Sequence, residues 1–136
     1  MNRPLVLLYN LKNEKGTKIR RMCLPLGIAT RLVEPEEYGL PLGALVEGGA
    51  EQPAAEAEAF GEEMLLLVNL PGPLLDRFLQ GFRRAKIQPV ALKAVLTPTN
   101  RTWSSCQLRG ELQREREAIA QGINAHREKE AGEDAQ

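Results

Sequence analysis

Two stretches of the chain consist almost entirely of apolar residues: "LVLLYNL", which begins at Leu5, and "MLLLVNL", which begins at Met64. A strand with one solvated face alternates apolar and polar residues, whereas a strand that is covered on both faces is apolar throughout. Both stretches are therefore predicted to be central strands of a sheet.

A helical pattern follows each of these strands. Residues 16–26 and 73–85 both carry apolar side chains at spacings of three and four residues, which is typical of an amphipathic helix. Pro25 predicts that the first helix ends or kinks near Leu24, and Pro73 suits the first position of the second helix. A second strand then closes each unit, "ATRLVE" in the first half and "VALKAVLT" in the second.

The two halves of the chain share one plan. The segment "LLYNL" aligns with "LLVNL" at an offset of 59 residues, and Leu45 aligns with Leu108 at an offset of 63. The second half therefore holds four extra residues, which we place near "QPVA". Self-similarity at a fixed offset predicts that the chain is a tandem duplication.

A proline-containing turn and a helix start follow the second strand of each half. In the second half, residues 97–100 predict a type I turn, and Ser104 with Gln107 forms a capping-box pattern for a last helix that begins at about Ser104. In the first half, "PEEYGLPLGAL" predicts only a short helix. The turn and the cap are the best-specified local structure in the chain.

The chain length and the local composition predict the domain boundaries. A chain of 136 residues has the length of a single domain. We predict a single globular domain over residues 1–124, made of two repeats, 4–46 and 62–118. An acidic linker containing Gly and Pro, 47–61, joins the repeats, and a frayed or disordered tail, 125–136, follows the domain.

These elements predict an α/β fold in which tandem duplicated βαβ(α) units share one four-stranded, mainly parallel sheet with pseudo-twofold symmetry. The expected strand order is 2-1-3-4. The apolar first strands and the long connection over residues 34–63 favour parallel neighbours at the centre, because a hairpin needs few connecting residues. If the central neighbours are antiparallel, the alternative is a ferredoxin-like α+β sandwich.

Charge and hydropathy exclude several classes of protein. Eighteen basic residues balance eighteen acidic ones, which argues against general nucleic-acid binding. The apolar runs are far shorter than the roughly 20 residues of a membrane span, and the N-terminus does not have a signal-peptide pattern. We therefore expect a cytoplasmic protein that does not bind a membrane. Cys23, Cys106 and His126 have no metal-ligand spacing, so no metal and no cofactor is expected.

The segments "LLYNL", "KGTKIRRMCLPLGI" and "YGLPLGAL" in the first half, with "MLLLVNL" and "LKAVLTPTNRTW" in the second, resemble the bacterial family DUF3783. The resemblance covers residues 4–46 and 62–118. The family is functionally uncharacterised, so the resemblance implies a bacterial cytoplasmic setting but no reaction and no catalytic residue.

A parallel sheet would place one candidate ligand site at the ends of its central strands. Ligands of such sheets bind beyond the carboxyl ends of the strands, where the strand order reverses. Asn10 and Asn69 are expected to face each other there, with Lys15 nearby in the basic loop "KNEKGTK". The site would bind a phosphate or a carboxylate, unless both Asn side chains simply bond turn backbone.

The remaining candidate ligand-binding residues surround the end of the last strand. Lys93 would anchor a ligand or, on an edge strand, discourage pairing with another chain. Thr97 and Asn100 would bind a ligand or close their own turn. Trp103 would pack the last helix on the sheet or, together with Tyr38 from the first half, cover a ligand.

We expect a non-catalytic binding or regulatory module for a protein partner or a small anionic ligand, with homodimer formation as a further option. No residue is assigned a catalytic role. The alternative is a small-molecule enzyme that uses the crevice at the strand ends, with Lys93 or Cys23 as its reactive group. A third class, RNA binding on a ferredoxin-like sheet, needs exposed aromatic side chains on strands, and the predicted strands offer only Tyr9.

Overall fold

The computed structural model describes residues 3–48 and 58–132, with side chains up to residue 121. The strands are β1 (Leu5–Tyr9), β2 (Ala29–Val33), β3 (Met64–Val68) and β4 (Leu92–Val95). The α-helices are α1 (Glu14–Cys23), α2 (Leu42–Glu47), α3 (Gly72–Arg84) and α4 (Ser105–Gly132). Single 3₁₀ turns lie at Pro35–Glu37 and Asn100–Thr102.

The four strands form one sheet in the order β2-β1-β3-β4. Strands β1 and β2 are parallel, and so are β3 and β4. The predicted α/β class, the single mainly parallel sheet and the strand order are confirmed. The central pair, β1 with β3, is antiparallel, so the preference for parallel central neighbours was wrong.

The antiparallel centre has a physical explanation. Burial on both faces makes a strand apolar but does not fix its direction. The long connection over residues 34–63 begins and ends at the same end of the sheet, because Met64 pairs with Tyr9. Part of this connection forms α2, which covers one face of the sheet. The length of the connection therefore does not show that the chain returns to the other end of the sheet before β3 begins.

Helices cover both faces of the sheet, which distinguishes the fold from a two-layer ferredoxin-like sandwich. Val6 and Leu8 of β1 point to one face, where they pack with α1 and α3. We call this the groove face. Leu7 and Tyr9 point to the opposite face, where they pack with α2 and α4. We call this the aromatic face.

Local sequence signals fix the ends of the helices. The Asn13 side chain caps α1 by accepting a hydrogen bond from the Gly16 backbone N–H at 2.9 Å. Helix α1 ends at Cys23, close to the end that Pro25 predicts. The Ser104 hydroxyl accepts a bond from the Gln107 backbone N–H at 3.1 Å, so the predicted Ser cap of α4 is observed.

The strand register agrees with the internal alignment of the sequence. Leu5 pairs with Ala29 in the first half, and their aligned counterparts Met64 and Leu92 pair in the second. In the central pair, Leu7 lies opposite Leu66, its own counterpart at the offset of 59. A shared strand register does not test whether the two halves of the chain arose from one ancestral sequence. The tandem duplication therefore stays a prediction.

The predicted linker and tail are only partly described. Phe60 belongs to the predicted linker, yet its side chain is buried against the core of the aromatic face. Helix α4 continues to Gly132, so the first residues of the predicted tail are helical. Residues 49–57 of the linker and 133–136 of the tail lie outside the described residues.

Candidate functional site

The antiparallel central pair separates the two asparagines that were expected to share one crevice. Asn10 follows β1 and Asn69 follows β3, and these two strand ends lie at opposite ends of the sheet. The predicted single crevice between them was therefore wrong. The sequence showed that both asparagines end a buried strand, but it did not show that the two strands run in opposite directions.

Asn10 and Asn69 have matching local structures. Both adopt the left-handed backbone conformation, with φ of 59° and 58°, which Asn tolerates better than most residues. The Asn10 side-chain amide donates to the carbonyls of Phe60 at 2.7 Å and of Glu62 at 2.8 Å. The Asn69 amide donates to the Arg3 carbonyl at 3.3 Å. Each asparagine thus ties the end of one central strand to the chain that enters the other.

Tyr38 lies beside Asn10 in a buried aromatic cluster. Its ring is 4.5 Å from that of Phe60 and 5.7 Å from that of Tyr9, centroid to centroid. The Tyr38 hydroxyl donates to the Asn10 side-chain oxygen at 3.2 Å, and burial raises the pKa of this hydroxyl. The hydroxyls of Tyr9 and Ser105 bond each other at 2.7 Å, and burial raises the Tyr9 pKa as well. The cluster therefore fills space and stays neutral.

Lys15 also lies at this end of the sheet, where it bonds protein groups. Its ammonium is 2.5 Å from the Glu63 carboxylate and 3.2 Å from the Pro89 carbonyl oxygen. These bonds tie α1 to the segments that precede β3 and β4. The contacts account for Lys15 without any ligand.

Among the candidates in the second half of the chain, Thr97 and Asn100 form hydrogen bonds within their own turn. The Thr97 backbone N–H donates to the Asn100 side-chain oxygen at 2.8 Å, and the Asn100 N–H donates to the Thr97 hydroxyl at 3.0 Å. Asn100 is buried and also donates to the Val95 carbonyl at 3.0 Å. Lys93 is exposed on β4, which is an edge strand. Trp103 is half-buried and packs against the core of the aromatic face.

Two small pockets replace the predicted single crevice, one at each end of the sheet. The pocket beside Asn10 has a volume of about 260 Å³ and is also lined by Lys12, Glu34 and Tyr38. The pocket beside Asn69 has a volume of about 530 Å³ and is also lined by Arg3, Glu47, Leu96 and Arg101. Neither pocket is lined by Lys93 or Cys23, the two reactive groups of the enzyme alternative.

A concave surface larger than either of these pockets lies between α1 and α3 on the groove face, and the sequence did not predict it. It has a volume of about 750 Å³. Its lining residues form five pairs at the offset of 59, namely Lys18 with Arg77, Arg21 with Gln80, Met22 with Gly81, Pro25 with Arg84, and Leu26 with Ala85. The internal alignment therefore contained a signal for this groove, but only an antiparallel arrangement of the two units brings the paired positions together.

Side-chain size differs between the two sides of the groove. On the α1 side the floor carries Met22 and Leu26, whereas the aligned positions on the α3 side are Gly81 and Ala85. A Cβ atom at Gly81 would collide with the Met22 thioether, so the glycine allows Met22 to lie across α3. The larger apolar side chains of the groove therefore come from the α1 side.

The groove carries positive charge on both of its sides. Helices α1 and α3 together hold seven Lys or Arg against two acidic residues. Lys18 and Arg21 line the groove on the α1 side, and Arg77 and Arg84 line it on the α3 side. Among the residues whose side chains the structure describes, none of these four cations has a carboxylate within 4.0 Å. The balanced net charge therefore conceals a basic surface.

The two thiols are poor nucleophiles. Cys23 is buried between α1 and the sheet, and burial raises the pKa of its thiol to about 12. Cys106 is half-buried, its S–H donates to the Glu58 carbonyl at 3.0 Å, and burial raises its pKa also. The structure thus gives no support to Cys23 as the reactive group of an enzyme.

In the part of the chain that the structure describes, no group of three or more His, Cys, Asp or Glu residues is arranged to hold a metal ion. None of the helices described there combines the length and the apolar character that crossing a membrane requires.

The fold and the groove define a mixed α/β domain with a single four-stranded sheet and a concave basic surface between two neighbouring helices. Residues 63–119 match the family model DUF3783, a domain of unknown function. The resemblance inferred from the sequence is thereby confirmed for this segment, which contains β3, α3, β4 and the start of α4. No curated protein and no solved structure matches the chain.

Proposed function

We propose that the protein is a non-catalytic binding module that docks a protein partner in the groove between α1 and α3. The observation that carries this proposal is the combination of a floor that carries Met22 and Leu26 with cations on both sides that have no described carboxylate partner. Concave surfaces with an apolar floor and a few polar groups are the usual sites of recognition.

Electrostatic repulsion among the cations of the groove supports the proposal. Like charges on neighbouring helices repel each other and destabilise the fold when nothing neutralises them. A partner that neutralises the groove cations would offset this repulsion. The bacterial cytoplasmic setting is part of this proposal.

Site-directed photo-crosslinking in cells tests the location of the docking surface. A photo-reactive residue would replace Gln80, which is exposed on α3 and lines the groove, or the exposed Gln107 on α4 as the matched control on the opposite face. The proposal expects a discrete protein adduct from position 80 that disappears when Arg21 and Arg77 are changed to Glu. Adducts that form equally from position 107, or that persist in the doubly substituted variant, would contradict it.

A small anionic ligand at the Asn69 pocket is a second candidate function. Arg3 and Arg101 both line this pocket, and guanidinium groups suit the binding of phosphate or carboxylate. Arg101 already pairs with Glu47 at 2.8 Å, so a ligand would compete with that exposed ion pair. The enzyme alternative also remains a proposal for this pocket, although neither of its expected reactive groups lines it.

Thermal denaturation with inorganic phosphate tests the second candidate. A specific site raises the midpoint of the wild-type protein with increasing phosphate, and the Arg101→Gln variant loses this dependence. Sodium chloride at equal ionic strength serves as the control for general salt effects. An equal response of the wild type and the variant would rule the pocket out as a phosphate site.

A further inference from the structure

This inference rests on the proposed docking role of the groove and concerns the chemistry of the partner. The groove presents two kinds of contact at once. Its floor offers thioether and aliphatic side chains, and its two sides offer two cations each, Lys18 with Arg21 and Arg77 with Arg84. A complementary ligand must therefore be apolar along its centre and acidic along both flanks.

The dimensions of the groove suit a short helix. The lining residues lie within 18–26 on the α1 side and within 77–85 on the α3 side, which corresponds to a channel of about 12 Å at 1.5 Å per residue. A third helix of two to three turns would lie along this channel with residues i, i+3 or i+4, and i+7 on the floor. Binding of an amphipathic helix in an apolar groove is a common mode of peptide recognition.

The floor favours a peptide over a nucleic acid. Single strands are bound largely by bases that stack on aromatic side chains, with cations along the backbone. The groove has the cations, but its lining residues include no Phe, Tyr or Trp. Met22, Pro25 and Leu26 instead match aliphatic side chains, and methionine adapts readily to different apolar partners.

We propose that the groove between α1 and α3 receives an acidic amphipathic helix of a partner protein. Leucine-like side chains of the partner pack on Met22 and Leu26, and its flanking carboxylates pair with the cations on both sides of the groove. Residues 49–57 of this chain and a second copy of the chain are the competing occupants, and the experiment below separates them.

The test uses three fluorescent 14-residue peptides and the full-length protein. The first has leucines at helical spacing flanked on both sides by glutamates, the second has lysines in place of the glutamates, and the third has alanines in place of the leucines. Fluorescence anisotropy is measured in 50 mM and in 300 mM salt. We expect the first peptide to bind at least about tenfold more tightly than either control, with an affinity that falls as salt rises.

Matched variants locate the binding to the groove. The double variant Arg21→Glu, Arg77→Glu reverses two charges that line the groove, and we expect it to weaken binding of the acidic peptide at least about tenfold. The control double variant Arg20→Glu, Arg83→Glu makes the same charge change at neighbouring positions of the same helices that do not line the groove. We expect it to weaken binding less than about threefold. Equal losses in the two variants would overturn the proposal.

Further outcomes also decide the question. An unlabelled single-stranded 14-mer of RNA that displaces the peptide and binds more tightly would overturn the proposal in favour of nucleic acid. A concentration-dependent dimer in sedimentation that the groove variant abolishes would assign the groove to a second copy. Stronger peptide binding after deletion of residues 49–57, without any measurable binding to the full chain, would assign it to that segment.

The crosslinking experiment distinguishes failure of this inference from failure of the proposed function. If none of the peptides binds while position 80 still yields its groove-dependent adduct, the docking function stands and the partner is not an acidic helix. If position 80 yields no groove-dependent adduct and the acidic peptide does not bind either, both proposals fail.

Discussion

The two faces of the sheet are covered by helices in different ways. On the aromatic face, Phe60 packs against the rings of both Tyr9 and Tyr38 and lies under the Arg109 guanidinium, which is 5.3 Å from its ring centroid. On the groove face, α1 and α3 pack on the sheet, but an open channel remains between their outer surfaces. One face is closed by an aromatic side chain from a connecting segment, and the other is left open.

Under the proposed docking role of the groove, the aromatic face serves stability and the groove face serves binding. Buried hydroxyls of the aromatic face bond each other, as the pair formed by Tyr9 and Ser105 shows. The four cations that line the groove have no described carboxylate partners. If the comparison holds, substitutions on the aromatic face reduce the free energy of unfolding, and substitutions of the groove cations reduce binding alone.

The largest effect on stability is expected for Phe60→Ala. Phe60 is only 6% exposed, and truncating a buried Phe leaves a cavity that costs about 3 kcal/mol of unfolding free energy. Urea denaturation followed by circular dichroism measures the loss. Ile119→Ala on α4, where the side chain is 63% exposed, is the control and should change stability by less than about 0.5 kcal/mol. A loss below about 1 kcal/mol for Phe60→Ala would show that the aromatic face is not closed by this residue.

The next effect concerns Cys23, which lies beneath the groove face. The unfolded chain releases the thiol proton near the ordinary pKa of 9.0, whereas burial raises the pKa in the folded protein to about 12. Between these values the folded state binds more protons than the unfolded state. The stability that Cys23 contributes is therefore fully present below pH 9 and is lost as the pH rises towards 12.

Comparison of the wild type with Cys23→Ala isolates this contribution. We expect the wild type to lose about 2 kcal/mol more than the variant between pH 8 and pH 10.5, as measured by urea denaturation. The variant is less stable at pH 8 because it has lost packing, but its pH dependence is flatter. Parallel pH profiles would mean that the thiol is not buried and would reopen the enzyme alternative that uses Cys23.

The sequence allowed a correct prediction of every strand and of the strand order, because apolar runs at Leu5 and Met64 and the proline near the end of α1 are local signals. It did not allow prediction of the direction of the central pair, since an apolar run reads the same for either direction. The direction of the central pair determines which candidate residues lie close together. Antiparallel strands move Asn69 away from Asn10 and bring Lys18 and Arg77 to the same groove.

The proximity of the groove residues was hidden in the sequence for the same reason. Arg84 reads in sequence as a cation that complements a helix end, and Met22 reads as a buried residue of an amphipathic helix. Both interpretations agree with the local structure, but neither predicts that the two residues line the same groove. The alignment offset of 59 pairs all ten lining positions, so combining the repeat with the correct strand direction would have located the groove.

A smaller effect is expected for the hydroxyl pair of the aromatic face. Tyr9→Phe removes a buried bond of 2.7 Å and leaves the Ser105 hydroxyl without that partner, which costs about 1 kcal/mol. Ser105→Ala should cost a similar amount. The double variant should cost clearly less than the sum, because both substitutions break the same bond. Additive losses in urea denaturation would mean that the bond does not contribute to the closure of this face.

The smallest effect on stability is expected for a groove cation, and it gives the most direct test of the comparison. Arg77→Gln removes one of several like charges on α1 and α3, so the free energy of unfolding should stay within about 0.5 kcal/mol and rise slightly at low salt. Arg109→Gln makes the same change on the aromatic face, where the guanidinium covers Phe60 and donates to Gln113 at 2.7 Å. This substitution should cost about 1 kcal/mol of unfolding free energy.

Urea denaturation at 20 mM and 500 mM salt measures the free energy of unfolding of both variants. If Arg77→Gln proved as costly as Arg109→Gln, the groove cations would stabilise the fold and would need no partner to explain them.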